Sequence, residues 1–288
     1  MIFEHEIPSG SRLYFGTSAK LKREIEFVSA EMLENLGFEE IVTPLFSYHQ
    51  HECFEDKKPL VRLNDESNHE VTLRADSTAD VVRIVTKRLG RSTGSKKWFY
   101  IQPTVTFPTR EQYQIGAEIM GGDFGEIVRS ATMLLGEIGI EPVMQIANIR
   151  IPQLLNEKYG VSLGILKSMH VEQIMQADLP WIDQLVRINT VADLESLEAF
   201  PSDIREELEK IKAATQNVSY EKMVVSPLFY AKMRYYDSLT FRMFEENSLL
   251  ATGGIYTIDG VEAAGFALYT DECIVSKMNR NKAEQDGQ

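Results

Sequence analysis

Residues 98–118, which read WFYIQPTVTFPTREQYQIGAE, constrain the fold of this chain more than any other segment. Aromatic side chains alternate along the first half, at Trp98 and Tyr100, and Pro103 and Pro108 interrupt the pattern before a second run. Alternation with a period of two predicts a strand, and a proline-containing break between two such runs predicts a turn. The segment is therefore predicted to form a strand, a loop and a second strand.

The composition is that of a folded protein with an acidic surface. The chain has 288 residues, of which 43% are hydrophobic and 25% are charged, enough for one large domain with at most a smaller insertion. The formal net charge of −13 repels polyanions, so a nucleic-acid partner would need a local basic patch. The best basic segment contains Lys87, Arg88, Arg91, Lys96 and Lys97, and we interpret it as a solvated turn.

The sequence offers no signal for a metal, a cofactor or a membrane segment. Cys53 and Cys273 are far apart and lack a CxxC or Cys/His spacing, which favours a reducing compartment and argues against structural zinc. Among the histidines, His49 and His51 are two residues apart, and we interpret them as the edge of a solvated loop. No apolar run approaches the roughly 18 residues of a membrane span, so we expect a cytoplasmic protein.

Hydrophobic periodicity predicts an α+β fold in which an antiparallel sheet is flanked by helices. The catalytic-core-like part would comprise residues 1–150 and 223–288, with a mostly helical insertion at residues 151–222. A polar tail after Lys277 is expected to fray. The predicted helices are residues 18–36, 79–89 and 126–138 with a last helix near the end, and the predicted strands are residues 38–44, 61–65, 71–76, 143–148, 241–245, 251–256 and 264–268.

Four short motifs occur in a fixed order along nearly the whole chain. They are Thr72-Leu-Arg-Ala-Asp76-Ser-Thr78, Gln114-Ile-Gly-Ala-Glu118, Tyr235-Tyr236 before residues 241–245, and Gly253-Gly254 before Gly265-Phe-Ala-Leu268. The ordered set resembles the catalytic core of class II aminoacyl-tRNA synthetases, and of histidyl-tRNA synthetases in particular. The resemblance implies the class II fold and a dimer built by the first helix and strand. It also implies that no anticodon-binding domain follows.

The resemblance further implies a histidine-binding pocket. Asp76, Thr78 and Gln114 correspond to the residues that hold the α-ammonium, while Glu118 with the paired Tyr235 and Tyr236 corresponds to those that contact the imidazole. The residue types suit this role, because an ammonium needs a carboxylate and neutral acceptors and an imidazole needs one acceptor and one hydroxyl. From the residues alone, strand-end carboxylates in ion pairs and tyrosines in a packed core remain alternatives.

Three cationic positions of the synthetase are absent from this chain. The arginine that holds the ATP α-phosphate is replaced by Thr106, the histidine-specific arginine by Ala231, and the arginine of the third class II motif by Glu272. Nearby Arg234 is not expected to substitute for the second of these. At an effective dielectric constant of about 20, two unit charges about 4 Å apart interact by about 4 kcal/mol. We therefore predict that the chain does not activate amino acids.

A synthetase-like core without these cations resembles the ATP phosphoribosyltransferase regulatory subunits. The resemblance implies a non-catalytic subunit that assembles with the short-form catalytic subunit in the first step of histidine biosynthesis, binds free histidine and does not bind tRNA. Ile255 and Thr257 depart from the Gly-Gly-Arg-Tyr-Asp segment of that family and were expected to remove a charge pair near the pocket floor. Two alternatives remain, a divergent synthetase paralogue that activates histidine or a related acid, and a structural subunit with a relic pocket.

Overall fold

A computed structural model describes residues 6–52, 54, 56–90, 92–218, 220–231, 233 and 235–286. Cys53, Arg91 and Arg234, which the sequence analysis singled out, lie outside the described residues. The helices are α1 (Gly16–Asn35), α2 (Thr78–Ile84), α3 (Phe124–Glu137), α4 (Arg150–Glu157), α5 (Leu163–Ser168), α6 (Val171–Ile174), α7 (Ile182–Arg187), α8 (Ser202–Asn217) and α9 (Thr270–Asp286). The strands are β1 (Glu39–Glu40), β2 (Phe46–Ser47), β3 (Arg62–Asn64), β4 (Glu70–Leu73), β5 (Lys97–Thr106), β6 (Arg110–Met120), β7 (Val143–Asn148), β8 (Met223–Val225), β9 (Tyr236–Glu245), β10 (Ser248–Ile258) and β11 (Val261–Tyr269).

Most of these strands form one large sheet in the order β1-β5-β6-β11-β10-β9-β7-β8. The pairs at its two ends, β1 with β5 and β7 with β8, are parallel, and the others are antiparallel. A small sheet, β2-β4-β3, lies beside it. The predicted hairpin of residues 98–118 is confirmed as β5 and β6, which pair Trp98 with Glu118 and Thr106 with Arg110. The predicted α+β class with a mostly antiparallel sheet is confirmed.

The two faces of the large sheet have different roles. One face carries the main hydrophobic core, in which Phe99, Ile115 and Phe266 are buried with apolar residues of α1, α3 and α9. Alternation along the strands directs the intervening side chains to the other face. That second face is partly covered by α2, whose Ala79 and Val82 pack with Tyr256, and the rest of it borders a cavity.

The strand predicted at residues 38–44 is much shorter in the structure. Only Glu39–Glu40 pair with β5, and the amide of Thr43 donates instead to the Gln102 side chain, with 3.1 Å between nitrogen and oxygen. The Gln102 side-chain oxygen thus takes the place of the backbone acceptor in the next hydrogen bond between β1 and β5, and the chain leaves the sheet at this point. The helix predicted at residues 79–89 is regular only to Ile84 and continues as the π-helical turn Val85–Leu89.

The tail after Lys277, expected to fray, is instead helical as far as Asp286. Two basic side chains explain the difference. Lys277 Nζ donates to the Ile138 carbonyl at 2.7 Å, and Arg280 donates to the Gly139 carbonyl at 2.6 Å. Both carbonyls lie just beyond the end of α3, where cations interact favourably with the helix dipole. The tail is therefore attached to α3.

Helices α4 to α8 occupy most of the predicted insertion, and their apolar residues join the main hydrophobic core instead of forming a separate one. Edge-to-face contacts between Tyr159, Trp181 and Phe200 stabilise this region. The division of the chain into a core and an insertion at residues 151–222 stays a prediction. Within the described ranges, no helix has both the length and the apolar character needed to cross a lipid bilayer.

We predict that Gly265→Ala destabilises the protein by about 1–3 kcal/mol, because the added atom overpacks a filled site. A Cβ at Gly265 would lie 1.7 Å from Glu118 Oε2, whereas a Cβ at Gly136 in α3 meets no atom within 4 Å. Gly136→Ala is therefore the matched control and should be neutral or stabilising by up to about 1 kcal/mol. Denaturant unfolding of both variants measures the difference, and equal midpoints would contradict the packing argument.

Candidate functional site

A cavity of about 530 Å³ lies on the second face of the sheet, between α2, the β5–β6 hairpin, β9 to β11 and residues 229–231, 233 and 235. It contains most of the residues that the sequence analysis placed in a histidine pocket. The predicted residues on its wall are Asp76, Thr78, Gln114, Tyr235 and Tyr236, together with Thr106 and Ala231 from the absent cationic positions. The fold therefore brings together residues from five separate segments of the chain.

Asp76 is held where β4 leads into α2. One carboxylate oxygen accepts the amide of Ala79 at 3.1 Å, and the other accepts the Tyr235 hydroxyl at 3.0 Å. The Gln50 side chain fixes the adjacent backbone by accepting the amides of Ala75 and Asp76. Burial raises the pKa of Asp76 to about 6, and the two hydrogen bonds oppose that rise. A cationic ligand group would favour the ionised form of this carboxyl.

Glu118 lies beneath the cavity, not on its wall. Its carboxyl accepts Tyr256 at 2.5 Å, Thr78 at 2.8 Å and, more weakly, Tyr100 at 3.4 Å between oxygens. Burial raises the pKa of Glu118 to about 8, and the hydrogen bonds from Tyr256 and Thr78 oppose that rise. Because Thr78 and Tyr256 do line the cavity, Glu118 orients two of its wall residues.

Tyrosine rings form one wall of the cavity. The ring centroid of Tyr235 lies 5.0 Å from that of Tyr236 and 5.3 Å from that of Tyr256. Tyr269 adds a hydroxyl 3.0 Å from Thr252 Oγ1. The paired tyrosines were predicted from the sequence as pocket residues, but Tyr256 and Tyr269 were not. Their alternation within predicted strands was the available signal, and the strand register was needed to place them.

Ile255 and Thr257 do not lie at the pocket floor, contrary to the expectation from the sequence. Ile255 packs against the main hydrophobic core on the opposite face of β10, and Thr257 is exposed and donates to Asp237 at 2.6 Å. The reason is the alternation of the strand, which places Tyr256 on the cavity face and its two neighbours on the other. These substitutions therefore leave the cavity wall unchanged.

The three absent cationic positions have different surroundings. Thr106 and Ala231 line the cavity with neutral groups. Glu272 is not among the lining residues. It lies in the first turn of α9 with Asp271, where Arg12 approaches both carboxylates at 3.8–3.9 Å. Two carboxylates at a helix N-terminus are stabilised by the helix dipole, and Arg12 offsets part of their charge.

Two arginines on the cavity wall were not identified from the sequence. Arg110 lies directly across the hairpin from Thr106. Arg242 donates to Gln145 Oε1 at 2.9 Å through Nε, and its guanidinium lies 3.8 Å from the ring centroid of Phe229. The signal for Arg110 was present, since residues 110, 112, 114 and 118 alternate onto one face of β6. The loss of three cationic positions therefore does not leave the cavity wall without cations.

The cavity also contains an unsatisfied hydroxyl. Thr240 is 2% exposed and lines the cavity, yet its Oγ1 has no hydrogen-bond partner among the described residues. Buried polar groups in folded proteins are nearly always hydrogen bonded, so this hydroxyl can pair with a water molecule or with a polar ligand atom in the cavity. Within the part of the chain that the structure describes, no cluster of three or more His, Cys, Asp or Glu side chains could hold a metal ion.

We predict that Glu118→Gln stabilises the protein increasingly as the pH rises. The pKa of this carboxyl is raised from 4.5 to about 8, so the folded state keeps its proton where the unfolded state has lost it. Wild-type stability should fall across that window by about 1.4 kcal/mol per pH unit for a single group. The variant does not titrate and avoids this loss.

Unfolding of wild type and Glu118→Gln by denaturant at several pH values measures the difference. The exposed pair variant Glu141→Gln is the control, because the Lys222 partner lowers the pKa of Glu141 and leaves that residue ionised throughout the window. A stability difference between wild type and Glu118→Gln that does not change with pH would contradict the burial of an ionisable carboxyl.

Comparison with known proteins agrees with this fold. A family model described as histidyl-tRNA synthetase matches residues 17–273. The chain is 44% identical to a protein of Wolinella succinogenes named ATP phosphoribosyltransferase regulatory subunit, over 98% of this chain and 99% of that protein. A Helicobacter hepaticus protein of the same name is 40% identical, over 95% and 98% of the two chains.

Solved structures show the same fold at lower identity. The crystal structure of an ATP phosphoribosyltransferase regulatory subunit/histidyl-tRNA synthetase from Bacillus halodurans has a TM-score of 0.80 and 20% identity, covering 95% of this chain and 83% of that one. Histidyl-tRNA synthetase from Nostoc has a TM-score of 0.75 and 12% identity, covering 96% and 75%. The near full-length relatives confirm the resemblance identified in the sequence: the chain belongs to the family of ATP phosphoribosyltransferase regulatory subunits and has the fold of histidyl-tRNA synthetases.

Proposed function

We propose that this chain is a non-catalytic subunit that assembles with the short-form ATP phosphoribosyltransferase catalytic subunit and is needed for its activity and feedback regulation. One observation carries the proposal. The cavity keeps an anchored carboxylate and neutral acceptors for an amino acid, while Thr106 and Ala231 are neutral where the related synthetases carry cations. The reaction served would be the first step of histidine biosynthesis, in the cytoplasm and without tRNA.

Free histidine is the ligand that the cavity chemistry favours. Its ammonium would contact Asp76 and the Gln114 side-chain oxygen, which are the acceptors on the hairpin and α2 side of the cavity. The sequence placed Thr78 with the ammonium, but its hydroxyl donates to Glu118, so we assign it to the imidazole side of the cavity. The imidazole would face Thr78 and the tyrosine wall, whose hydroxyls can donate or accept a hydrogen bond. Regulation would follow if the complex with the catalytic subunit binds histidine with a different affinity in its active and inactive states.

Amino-acid activation is not supported by the charges around the cavity. The step places negative charge on a transferring triphosphate, and electrostatic stabilisation of that charge dominates the rate of such reactions. Glu272 at the start of α9 contributes a negative charge where the synthetase has a positive one. Arg110 and Arg242 favour the alternative of a divergent synthetase, and histidine-dependent pyrophosphate exchange tests that alternative directly.

We also propose that the subunit dimerises through the surface formed by the segment after α1 and the small sheet. Large apolar side chains are exposed there without a covering element, and they include Val42, Phe46, Tyr48 and Leu63. Exposed apolar surface of this extent is typical of a protein interface. A second copy of the chain is the occupant that the family resemblance implies, because the first class II motif contributes this region.

We predict that histidine binds to the purified chain and that Asp76→Asn weakens binding at least tenfold, since a charge-assisted hydrogen bond is worth about 1.5–3 kcal/mol. Glu118→Ala should also abolish the heat of histidine binding, because Thr78 and Tyr256 lose their common partner. Asp183→Asn, which removes an exposed carboxylate far from the cavity, is the control.

Calorimetry with the chain alone and with the short-form catalytic subunit separates the candidate functions. Assembly that is retained in Glu118→Ala together with loss of histidine binding supports the regulatory subunit. Assembly without any histidine binding by wild type would favour a structural subunit with a relic pocket. Pyrophosphate exchange by the isolated chain would favour the divergent synthetase.

We predict that Phe46→Lys converts the dimer into a monomer, because it places a charge in the centre of the proposed apolar interface. Phe46 is 58% exposed, so the change is accommodated in the folded monomer. Met175→Lys, at another exposed apolar residue in the helical insertion, should leave the mass unchanged. Sedimentation equilibrium measures the outcome, and a dimer that survives Phe46→Lys would contradict this interface.

A further inference from the structure

The proposed function leaves the carboxylate of the amino acid without a partner. The related synthetases use an arginine at the position of Ala231, and here that position offers only a methyl group. A carboxylate transferred from water into a partly closed cavity needs a hydrogen-bond donor, preferably a charged one. On the proposed function, another residue must therefore replace the absent arginine.

Arg110 lies on the cavity face of β6, in the same row as Gln112 and Gln114. Residues two apart on a strand are separated by about 7 Å and point to the same side. Arg110 and Gln114 are four residues apart, about 14 Å along the strand, so the long arginine side chain can extend over Gln112 toward a ligand whose ammonium group lies above Gln114. Arg110 therefore approaches from the turn end of the hairpin, at the opposite end of β6 from the buried Glu118.

The backbone around Arg110 is fixed by the N-terminal segment. The amide of Glu111 donates to the Gly10 carbonyl at 3.0 Å, and a Cβ at Gly10 would lie 2.9 Å from the Thr109 carbonyl oxygen. Gly10 has a φ of +91°, a conformation that other residues rarely adopt. Among the described residues, the guanidinium of Arg110 has no recorded hydrogen bond or ion pair, so it is available to a ligand.

Tyr269 locates Arg110 relative to Asp76. Tyr269 lies opposite Gln114 in the register of β11 and β6, and its hydroxyl lies 3.0 Å from Thr252 Oγ1. Burial raises the pKa of the Tyr269 hydroxyl; the charge of Asp76 adds to that rise, and the charge of Arg110 opposes it. Both groups are thus close enough to act on the same hydroxyl. The ammonium and the carboxylate of an amino acid are attached to the same carbon. The Asp76 carboxylate and the Arg110 guanidinium, which lie near the same hydroxyl, therefore match the two charges of such a ligand.

Arg242 is less suited to this role. Its guanidinium is committed to Gln145 and is stacked on Phe229, with Phe244 at 4.9 Å. In addition, β9 is three strands away from β6 in the sheet, a separation of about 14 Å. The charge of Arg242 therefore lies on the far side of the cavity from Gln114.

We propose that Arg110 binds the α-carboxylate of the amino-acid ligand, and that it makes the cavity selective for a free amino acid over the corresponding amide or amine. Asp76 and Arg110 then hold the two charges of the zwitterion, while Thr78 and the tyrosine wall contact the side chain. Arg110 is a specificity-determining residue for binding and has no part in a chemical step.

Calorimetric titration with histidine and with histidinamide tests this assignment. The amide keeps the ammonium and the imidazole but has no negative charge, so wild type should prefer histidine. Arg110→Gln should weaken histidine binding about 10- to 100-fold and leave histidinamide binding within about threefold, because only the charged contact is lost. Arg110→Lys should restore part of the preference, as a lysine keeps the charge but not the fork of donors.

Two further variants make the test specific. Arg187→Gln removes the same charge from an exposed residue that pairs only locally with Asp183, and should leave both affinities unchanged. Arg242→Gln tests the competing cation. If the preference for histidine persists in Arg110→Gln, or is lost in Arg242→Gln instead, the assignment is overturned. If wild type binds neither ligand, the proposed histidine function itself fails, and the two failures are thus distinguishable.

Discussion

The cavity depends on the hydrogen bonds that the buried carboxyl of Glu118 accepts. This carboxyl joins three elements, because its hydrogen bonds come from Thr78 on α2, Tyr100 on β5 and Tyr256 on β10. Burying a carboxyl without partners is costly, and three hydroxyl donors offset that cost. Gly265 on the next strand leaves the space that the carboxyl occupies, since any side chain there would overlap it. The floor and one wall of the cavity are positioned by this single group.

A second polar network positions the rim of the cavity next to α2. Gln50 accepts two backbone amides with its oxygen and donates with its nitrogen to the Asp76 carbonyl and to Asp80, each at 2.8 Å. Asp80 also accepts the Ser47 hydroxyl. Every group in this buried set has a partner, which is the condition under which a polar network specifies one geometry. Asp76 therefore faces the cavity as a preorganised acceptor.

The sequence was sufficient to predict the main hairpin and the meeting of distant motifs, because both depend on local alternation and on an ordered set of landmarks. The predicted residues Asp76, Thr78 and Gln114 line one cavity. The role of these residues in binding histidine stays a prediction. The alternation of residues along each strand does not give the register between strands. Tyr256 could therefore not be predicted as a pocket residue.

The remaining differences also have particular causes. Glu118 is beneath the wall because Gly265 lacks a side chain at the paired position, a relation between strands far apart in sequence. The strand predicted at residues 38–44 ends early because Gln102 takes the amide of Thr43. A hydrophobic pattern does not reveal that a side chain will accept the hydrogen bond of a backbone amide in place of the neighbouring strand.

The number and position of the charges in the cavity favour the proposed amino-acid ligand over a nucleotide. Arg242 is already bound to Gln145 and to two aromatic rings, so Arg110 is the lining arginine that has no recorded partner within the described ranges. One guanidinium can neutralise the single charge of a carboxylate, but a triphosphate carries several charges and normally requires additional cations or a metal ion. The same protein surface can thus retain recognition of an amino acid after the capacity to activate it has been lost.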